Sequence, residues 1–137
     1  MLHIKKIKPL FTKVLTTGDR YEDDMYTKGI IVANKGELKL YQKVLAVGTS
    51  VRDIKVGDTV MINPNNYAVM KYDPNSIKND MDMNKRIKWN LPWVTIDDEN
   101  GKPKECLLLN DRDIEFVFEG EEKSETIIVE DNKILLN

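Results

Sequence analysis

Short apolar runs separated by turn residues fill this chain, and their period is two, not the 3.6 of an amphipathic helix. Pro9–Leu15 reads as a first strand, with alternation at Leu10 and Val14, closed by a Thr16-Thr17-Gly18-Asp19 turn. Tyr21–Lys28 is polar and acidic, without a period, and reads as a loop. Gly29-Ile30-Ile31-Val32 is a short apolar run set inside that polar stretch, and Asn34-Lys35-Gly36 is a second turn. Leu38, Leu40, Gln42 and Val44 then share one face of an extended strand, with Lys39, Tyr41 and Lys43 on the other. Val44-Leu45-Ala46-Val47 runs straight into Gly48.

Gly57-Asp58 is a tight-turn signal, since glycine accepts positive φ without steric penalty, and Thr59–Ile62 follows as a strand. That strand stops at Asn63-Pro64-Asn65-Asn66, and Tyr67–Tyr72 is a further strand candidate. Asp73–Asn90 is rich in Asn, Asp, Lys and Met and reads as an excursion with room for one helical turn. Val94–Ile96, Glu105–Leu109 and Ile114–Phe118 are strand-like, with turns at Asp97–Gly101 and Asn110–Asp113. Glu119–Ser124 is a polar break, and Thr126–Val129 with Lys133–Leu136 forms a terminal hairpin pattern around Asp131-Asn132. Many short strands at close spacing predict an all-β barrel or sandwich in one domain spanning residues 1–137.

Charge and composition remove several functions. The 137 residues carry 21 Lys and Arg against 23 Asp and Glu, a net charge of −2, which offers no broad field for nucleic acid or an anionic membrane. No apolar run approaches the length of a membrane span, and the N-terminus lacks the apolar core of a secretory signal. Cys106 is the single cysteine, so no internal disulfide forms and a reducing compartment such as cytoplasm is expected.

The candidate chemistry is thin. With one His and one Cys, the chain lacks the three or so protein ligands of a catalytic zinc site. Glu22-Asp23-Asp24 and Asp97-Asp98-Glu99 lack the alternating ligands and glycine turn of a calcium loop, and read as solvated acidic turns. His3 lies near the chain start and is a poor base, while Cys106 beside Leu107-Leu108-Leu109 reads as a buried inert thiol. There is no glycine-rich phosphate loop and no Gly-x-Ser-x-Gly elbow, so neither a catalytic residue nor a cofactor or metal site is expected.

Four pieces in order carry a resemblance. They are Lys8-Pro9-Leu10, Gly29-Ile30-Ile31-Val32, Val44–Gly48 with Ile54–Val60, and Cys106–Ile114. This series resembles the GroES-type co-chaperonin family over roughly Lys5–Phe118, apart from an excursion near 73–104. The Val-Gly-Asp-x-Val pattern also occurs in zinc alcohol dehydrogenases, but the metal ligands and nucleotide-binding domain of those enzymes are absent here. The resemblance implies a GroES-like, partly open β-barrel with an inserted excursion at about 73–104 and an extra C-terminal hairpin in 120–137. It implies a homo-oligomeric ring of about seven copies that caps a GroEL-type chaperonin and assists protein folding. By the same resemblance Gly29 is the loop glycine, Ile30, Ile31 and Val32 are the docking residues, and Gly48 and Gly57 are turn positions.

The chain departs from the family pattern at several places. Only Thr49–Lys55 remain where a roof hairpin would lie, which is similar to phage-encoded, open-domed members and suggests the host cytoplasm as location. The limb Glu37–Val44 is strand-like rather than small and flexible. These departures keep a second function open, an auxiliary or decoration subunit of a phage virion whose partner is a coat protein. A plainer reading also stands for the apolar run, in which Ile30 and Val32 face inward on a hairpin with Leu38 and Leu40. Trp89 and Trp93, around Pro92, either anchor the excursion on the barrel or form a secondary interface, with anchoring the plainer role.

Overall fold

Leu15 and Thr16 do not end the first strand; they lie at its middle. In the computed structural model, which describes residues 1–72 and 85–125, β1 runs over Lys13–Thr17, and Val14 to Thr17 are all buried. The expected start at Pro9 fails because Leu10 and Phe11 are exposed and Phe11 turns the chain with φ 57°. The expected turn at Thr16-Thr17 fails because both hydroxyls find partners. Thr17 Oγ1 donates to Gln42 Oε1 at 2.7 Å and accepts from Lys43 N–H at 3.0 Å, and Thr16 Oγ1 donates to the Thr17 carbonyl at 2.9 Å. Buried threonine is tolerated once its polar atoms are satisfied.

The chain forms two compact units. The first comprises Met1–Gly18 and Leu40–Phe118. It holds β1, β4 (Tyr41–Val47), β5 (Thr59–Ile62), β6 (Ala68–Tyr72), β7 (Lys85–Trp89), β8 (Trp93–Asp97), β9 (Pro103–Asn110) and β10 (Ile114–Phe118). Six of these make one antiparallel sheet in the order β10-β5-β4-β1-β9-β8, and β6 pairs with β7 in a separate two-stranded ribbon. The fold is therefore all-β and built on an open sheet. The second unit combines Asp19–Lys39 with the chain after Phe118, described over 119–125. It holds β2 (Met25–Thr27) and β3 (Ile30–Ala33), paired to each other.

The alternation of β4 and β5 fixes the core. Gln42 and Val44 of β4 and Val60 and Ile62 of β5 are buried, with Tyr41, Lys43, Thr59 and Met61 less so. Val14, Val44 and Val60 form the centre, and Val47, Val51, Ile54 and Ile114 pack on it. On the other side of β1, Cys106, Leu107 and Leu109 of β9 are buried, so Cys106 is enclosed as expected. Leu40 does not join the core face of β4; it is 41% exposed and precedes the strand. Thr59–Ile62 and Ile114–Phe118 match the sequence pattern. Lys85–Trp89 was expected within a polar excursion and is instead a strand, because its backbone pairs along the whole of β6. The helical turn expected in Asp73–Asn90 falls partly, and the hairpin of 126–137 wholly, outside the described residues.

Gly48 and Gly57 are each required by their surroundings. A Cβ on Gly48 would sit 2.2 Å from the Phe11 carbonyl oxygen, while Gly48 N–H donates to the Lys13 carbonyl at 2.8 Å. Gly57 has φ 96° in the turn before β5, where its N–H donates to the Val44 carbonyl at 2.9 Å. That turn is fastened by Asp58, whose carboxylate accepts from Lys55 N–H at 2.8 Å.

Asp113 pins the start of β10 to the end of β5. It is 1% exposed and accepts from Tyr67 O–H at 2.5 Å, Asn66 Nδ2 at 2.7 Å and Asn110 N–H at 3.0 Å. Its carbonyl accepts from Asn63 N–H at 2.8 Å. Burial alone would raise this carboxyl, but the bonds from Tyr67, Asn66 and Asn110 outweigh it and hold the group below its ordinary value of 3.8. Burial, then the bond to Asp113 and its charge, push the Tyr67 phenol up to about 12.

These shifts set the pH limits of stability. The depressed Asp113 value contributes stability that is complete above the ordinary value and is lost as pH falls through the native one. The raised Tyr67 value contributes stability that is complete below 10.0 and is lost as pH rises toward about 12. In urea titrations Asp113→Ala is expected to lose about 3 kcal/mol at neutral pH, because three donors lose their acceptor. Asp113→Asn should flatten the acid limb of the stability profile, and Tyr67→Phe the alkaline limb.

Candidate functional site

The polar limbs Asp19–Asp24 and Asn34–Lys39 pair before the apolar run begins. Tyr21 N–H donates to the Glu37 carbonyl at 2.9 Å, Gly36 N–H to the Tyr21 carbonyl at 2.8 Å, and Lys39 N–H to the Asp19 carbonyl at 3.1 Å. Arg20 and Leu38 form a bridge, so Leu38 faces Arg20. Asp24 accepts from Lys35 N–H at 2.7 Å, and Glu37 from Asn34 N–H. Asp24 and Glu37 thus serve the turn, and the strand-like limb expected at Glu37–Val44 becomes a strand only from Tyr41.

Beyond this ribbon, β2 and β3 form a two-residue hairpin. Thr27 faces Ile30 and Tyr26 faces Ile31, with an irregularity between Met25 and Tyr26. Lys28 has φ 53° and Gly29 has φ 84°. Positive φ at both central residues is the type I′ geometry that suits the right-handed twist of paired strands. Gly29 is therefore a turn residue by backbone requirement.

The three residues after it are exposed on both faces of the strand. Ile30 is 69% exposed, Ile31 48% and Val32 57%, and only Ala33, where β3 ends, is buried. Successive strand residues point to opposite faces, so this run leaves neither face covered. The plainer reading, with Ile30 and Val32 turned inward against Leu38 and Leu40, does not describe the unit, since β3 pairs with β2. Burying each of these side chains against a partner would contribute ~1.5–3 kcal/mol. Ordering a flexible segment costs about 1–2 kcal/mol per residue, so a hairpin already formed keeps more of that gain.

The other singled-out residues fall elsewhere. Trp93 is half-buried over Gly18, where an added Cβ would lie 2.5 Å from its Cζ3, and it faces Leu107 of β9. Trp89 is 46% exposed and faces Ala68 of β6, so the two tryptophans occupy different sheets. His3 Nδ1 lies 3.2 Å from Asp97 Oδ2, and Asp97 N–H donates to the Ile4 carbonyl at 2.7 Å. That places His3 on the outer edge of β8 as a strut for the N-terminal segment. Asp98 accepts from Asn100 and Lys102 N–H at 2.8 and 2.9 Å, closing its own turn. Among the described residues no three His, Cys, Asp or Glu side chains come together as a metal set, and no helix is long and apolar enough to cross a membrane.

One surface was missed in the sequence. β10 is the last strand of the sheet, and Phe116 and Val117 are 50% and 42% exposed on it. Phe116 stacks edge-on with Phe118, and Phe118 with Tyr41, each at 5.9 Å between ring centres. The good alternation of Ile114–Phe118 conceals this, because an edge strand with apolar residues on either face reads like any other strand. Neither protein-family models nor curated protein sequences yield a match to this chain.

The turn geometry gives a direct prediction. Lysine in the left-handed region costs about 1–2 kcal/mol that asparagine largely avoids. Lys28→Asn, which makes the preferred Asn-Gly pair, should slow amide exchange at Thr27 and Ile30 severalfold, while Gly29→Val should accelerate it. Exchange measured by NMR on the free protein reads both.

Proposed function

We propose that this chain is a co-chaperonin-like ring subunit that caps a GroEL-type chaperonin through Gly29, Ile30, Ile31 and Val32. The observation that carries the reading is the exposure of three consecutive apolar side chains at the tip of a preformed hairpin. Contiguous exposed apolar residues rimmed by polar ones mark protein-binding surfaces. Lys28, Asn34, Lys35 and Glu37 supply the polar surroundings, all exposed.

A ring follows from the same arithmetic. One hairpin offers few contacts and binds weakly, whereas several copies held in a closed assembly act at high effective concentration. Among the described residues β10 is the last strand of its sheet, and the exposed Phe116 and Val117 on it are an apolar surface that suits association between copies. A ring closes by head-to-tail contacts, in which a surface on one copy meets a different surface on the next. Weak individual contacts and firm collective ones suit a cap that binds and leaves. In this reading the protein acts in the cytoplasm of a host cell, encoded by a phage.

The test is co-sedimentation with a bacterial chaperonin in the presence of ATP. The chain should pellet with the chaperonin, and Ile31→Asp should reduce capture to background while shifting stability by no more than about 0.5 kcal/mol. Native mass spectrometry should give a single ring stoichiometry. Capture unaffected by Ile31→Asp would overturn the proposal. A monomeric chain recovered in purified phage particles would instead make a coat protein the partner of the hairpin.

A further inference from the structure

Segment 119–125 lies along the apolar hairpin, and its contacts concentrate on the residues that shape the turn. Glu125 N–H donates to the Tyr26 carbonyl at 2.7 Å, and the Glu125 carbonyl accepts from Gly29 N–H at 3.4 Å. Ser124 Oγ accepts from Tyr26 N–H at 3.1 Å. Farther down, Tyr21 O–H donates to Glu122 Oε2 at 3.1 Å. In a two-residue hairpin Thr27 and Ile30 exchange the ladder bonds, so the N–H and C=O of Tyr26 point to the outer edge. Both of those groups are taken by Ser124 and Glu125.

From this we propose that segment 119–125 is a strap that holds the Ile30-Ile31-Val32 hairpin in its binding conformation before any partner arrives. The inference rests on the reading of that hairpin as a docking element, and it names what sets its affinity. The strap occupies the outer edge of β2 and bridges the two ends of the Lys28-Gly29 turn through one residue, Glu125. A lone two-stranded hairpin is marginal in water, and a third segment along one edge is what such a ribbon needs to persist. Its ordering entropy is then lost on folding and not on binding. Tyr21, Ser124 and Glu125 are positioning residues, since they act on the apolar side chains through the backbone. The strap leaves the side chains of Ile30, Ile31 and Val32 exposed, so it arranges the surface without covering it.

The experiment uses the full chain and two measurements. The variants are Tyr21→Phe/Ser124→Ala and, more severely, the same pair with Glu125→Pro, which removes the N–H given to Tyr26. Lys123→Ala is the control, since among the described residues Lys123 pairs with the exposed Glu121 at 3.6 Å. Hydrogen exchange of the free protein should quicken roughly tenfold or more at Thr27 and Ile30 in the triple variant, and less in the double. Val14, Val44 and Val60 should be unaffected, which separates local loosening from unfolding. Calorimetric titration onto a chaperonin should weaken in step, because apparent affinity falls with the fraction of competent hairpin. Unchanged exchange at Thr27 and Ile30 would overturn the strap whether or not a chaperonin binds. Faster exchange with unchanged affinity would overturn its role in setting affinity. Should the unmodified chain bind no chaperonin, the capping reading falls, and exchange alone decides whether the strap exists.

Discussion

The main unit depends on one strand being paired on both sides. β1 has β4 on one edge and β9 on the other, and its residues from Val14 to Thr17 are out of water. A strand so placed has no room for an unsatisfied polar atom, since each would cost what a lost hydrogen bond costs. That constraint selects Gln42 of β4 as the acceptor for the Thr17 hydroxyl, a buried pair whose bond would be poorly replaced by any apolar residue on one side alone. It also explains the shift of register between Leu15 and Thr16 against β4, which lets the Thr17 hydroxyl accept from Lys43 N–H. From β1 outward, each strand inherits its register, and the valine core follows.

The hairpin unit follows the opposite logic. Its polar side chains are spent on turns and limbs, and its largest apolar side chains stand in water. A monomer that needed only to be stable would gain nothing from Ile30, Ile31 and Val32 there. Scattered exposed apolar residues need no explanation, but three in sequence on both faces of one strand form a continuous surface. The exposed edge at Phe116 and Val117 is a second surface, of a different kind. It lies on the last strand of the main sheet among the described residues, whereas the hairpin belongs to the second unit.

How much of this was written in the sequence depends on whether the cause is local. Thr59–Ile62 and Ile114–Phe118 were legible because alternation and turn residues agree there. The end of β1 was not, because threonine is a turn former in isolation, and it is pairing with distant β9 and the bond to Gln42, 25 residues away, that hold it in a strand. β7 was hidden because Lys-Arg-Ile-Lys-Trp carries little apolar signal, and its order comes from pairing with β6. The apolar run Gly29–Val32 was visible as an anomaly in a polar stretch, yet its exposure was open until the pairing of β2 with β3 showed which residues face which. The role of 119–125 was invisible, since a run of Glu, Lys and Ser carries no signal for an edge that it meets nearly a hundred residues earlier.

Placing that strap after β10 has a physical consequence. The hairpin leaves β1 and returns to β4 early in the sequence, but its outer edge is completed only by residues that follow β10. The apolar tip therefore cannot reach its final form until the strand preceding the strap, the last of the main sheet, is in the chain. Contacts between distant segments form late because their loop-closure entropy must be met first. During synthesis the tip would lack these outer-edge bonds while the core assembles. Until 119–125 is in place, the hairpin lacks the bonds that Ser124 and Glu125 make to Tyr26 and Gly29. Order of synthesis and order of the hairpin are linked here through one residue, Glu125, whose backbone meets Tyr26 and Gly29 together.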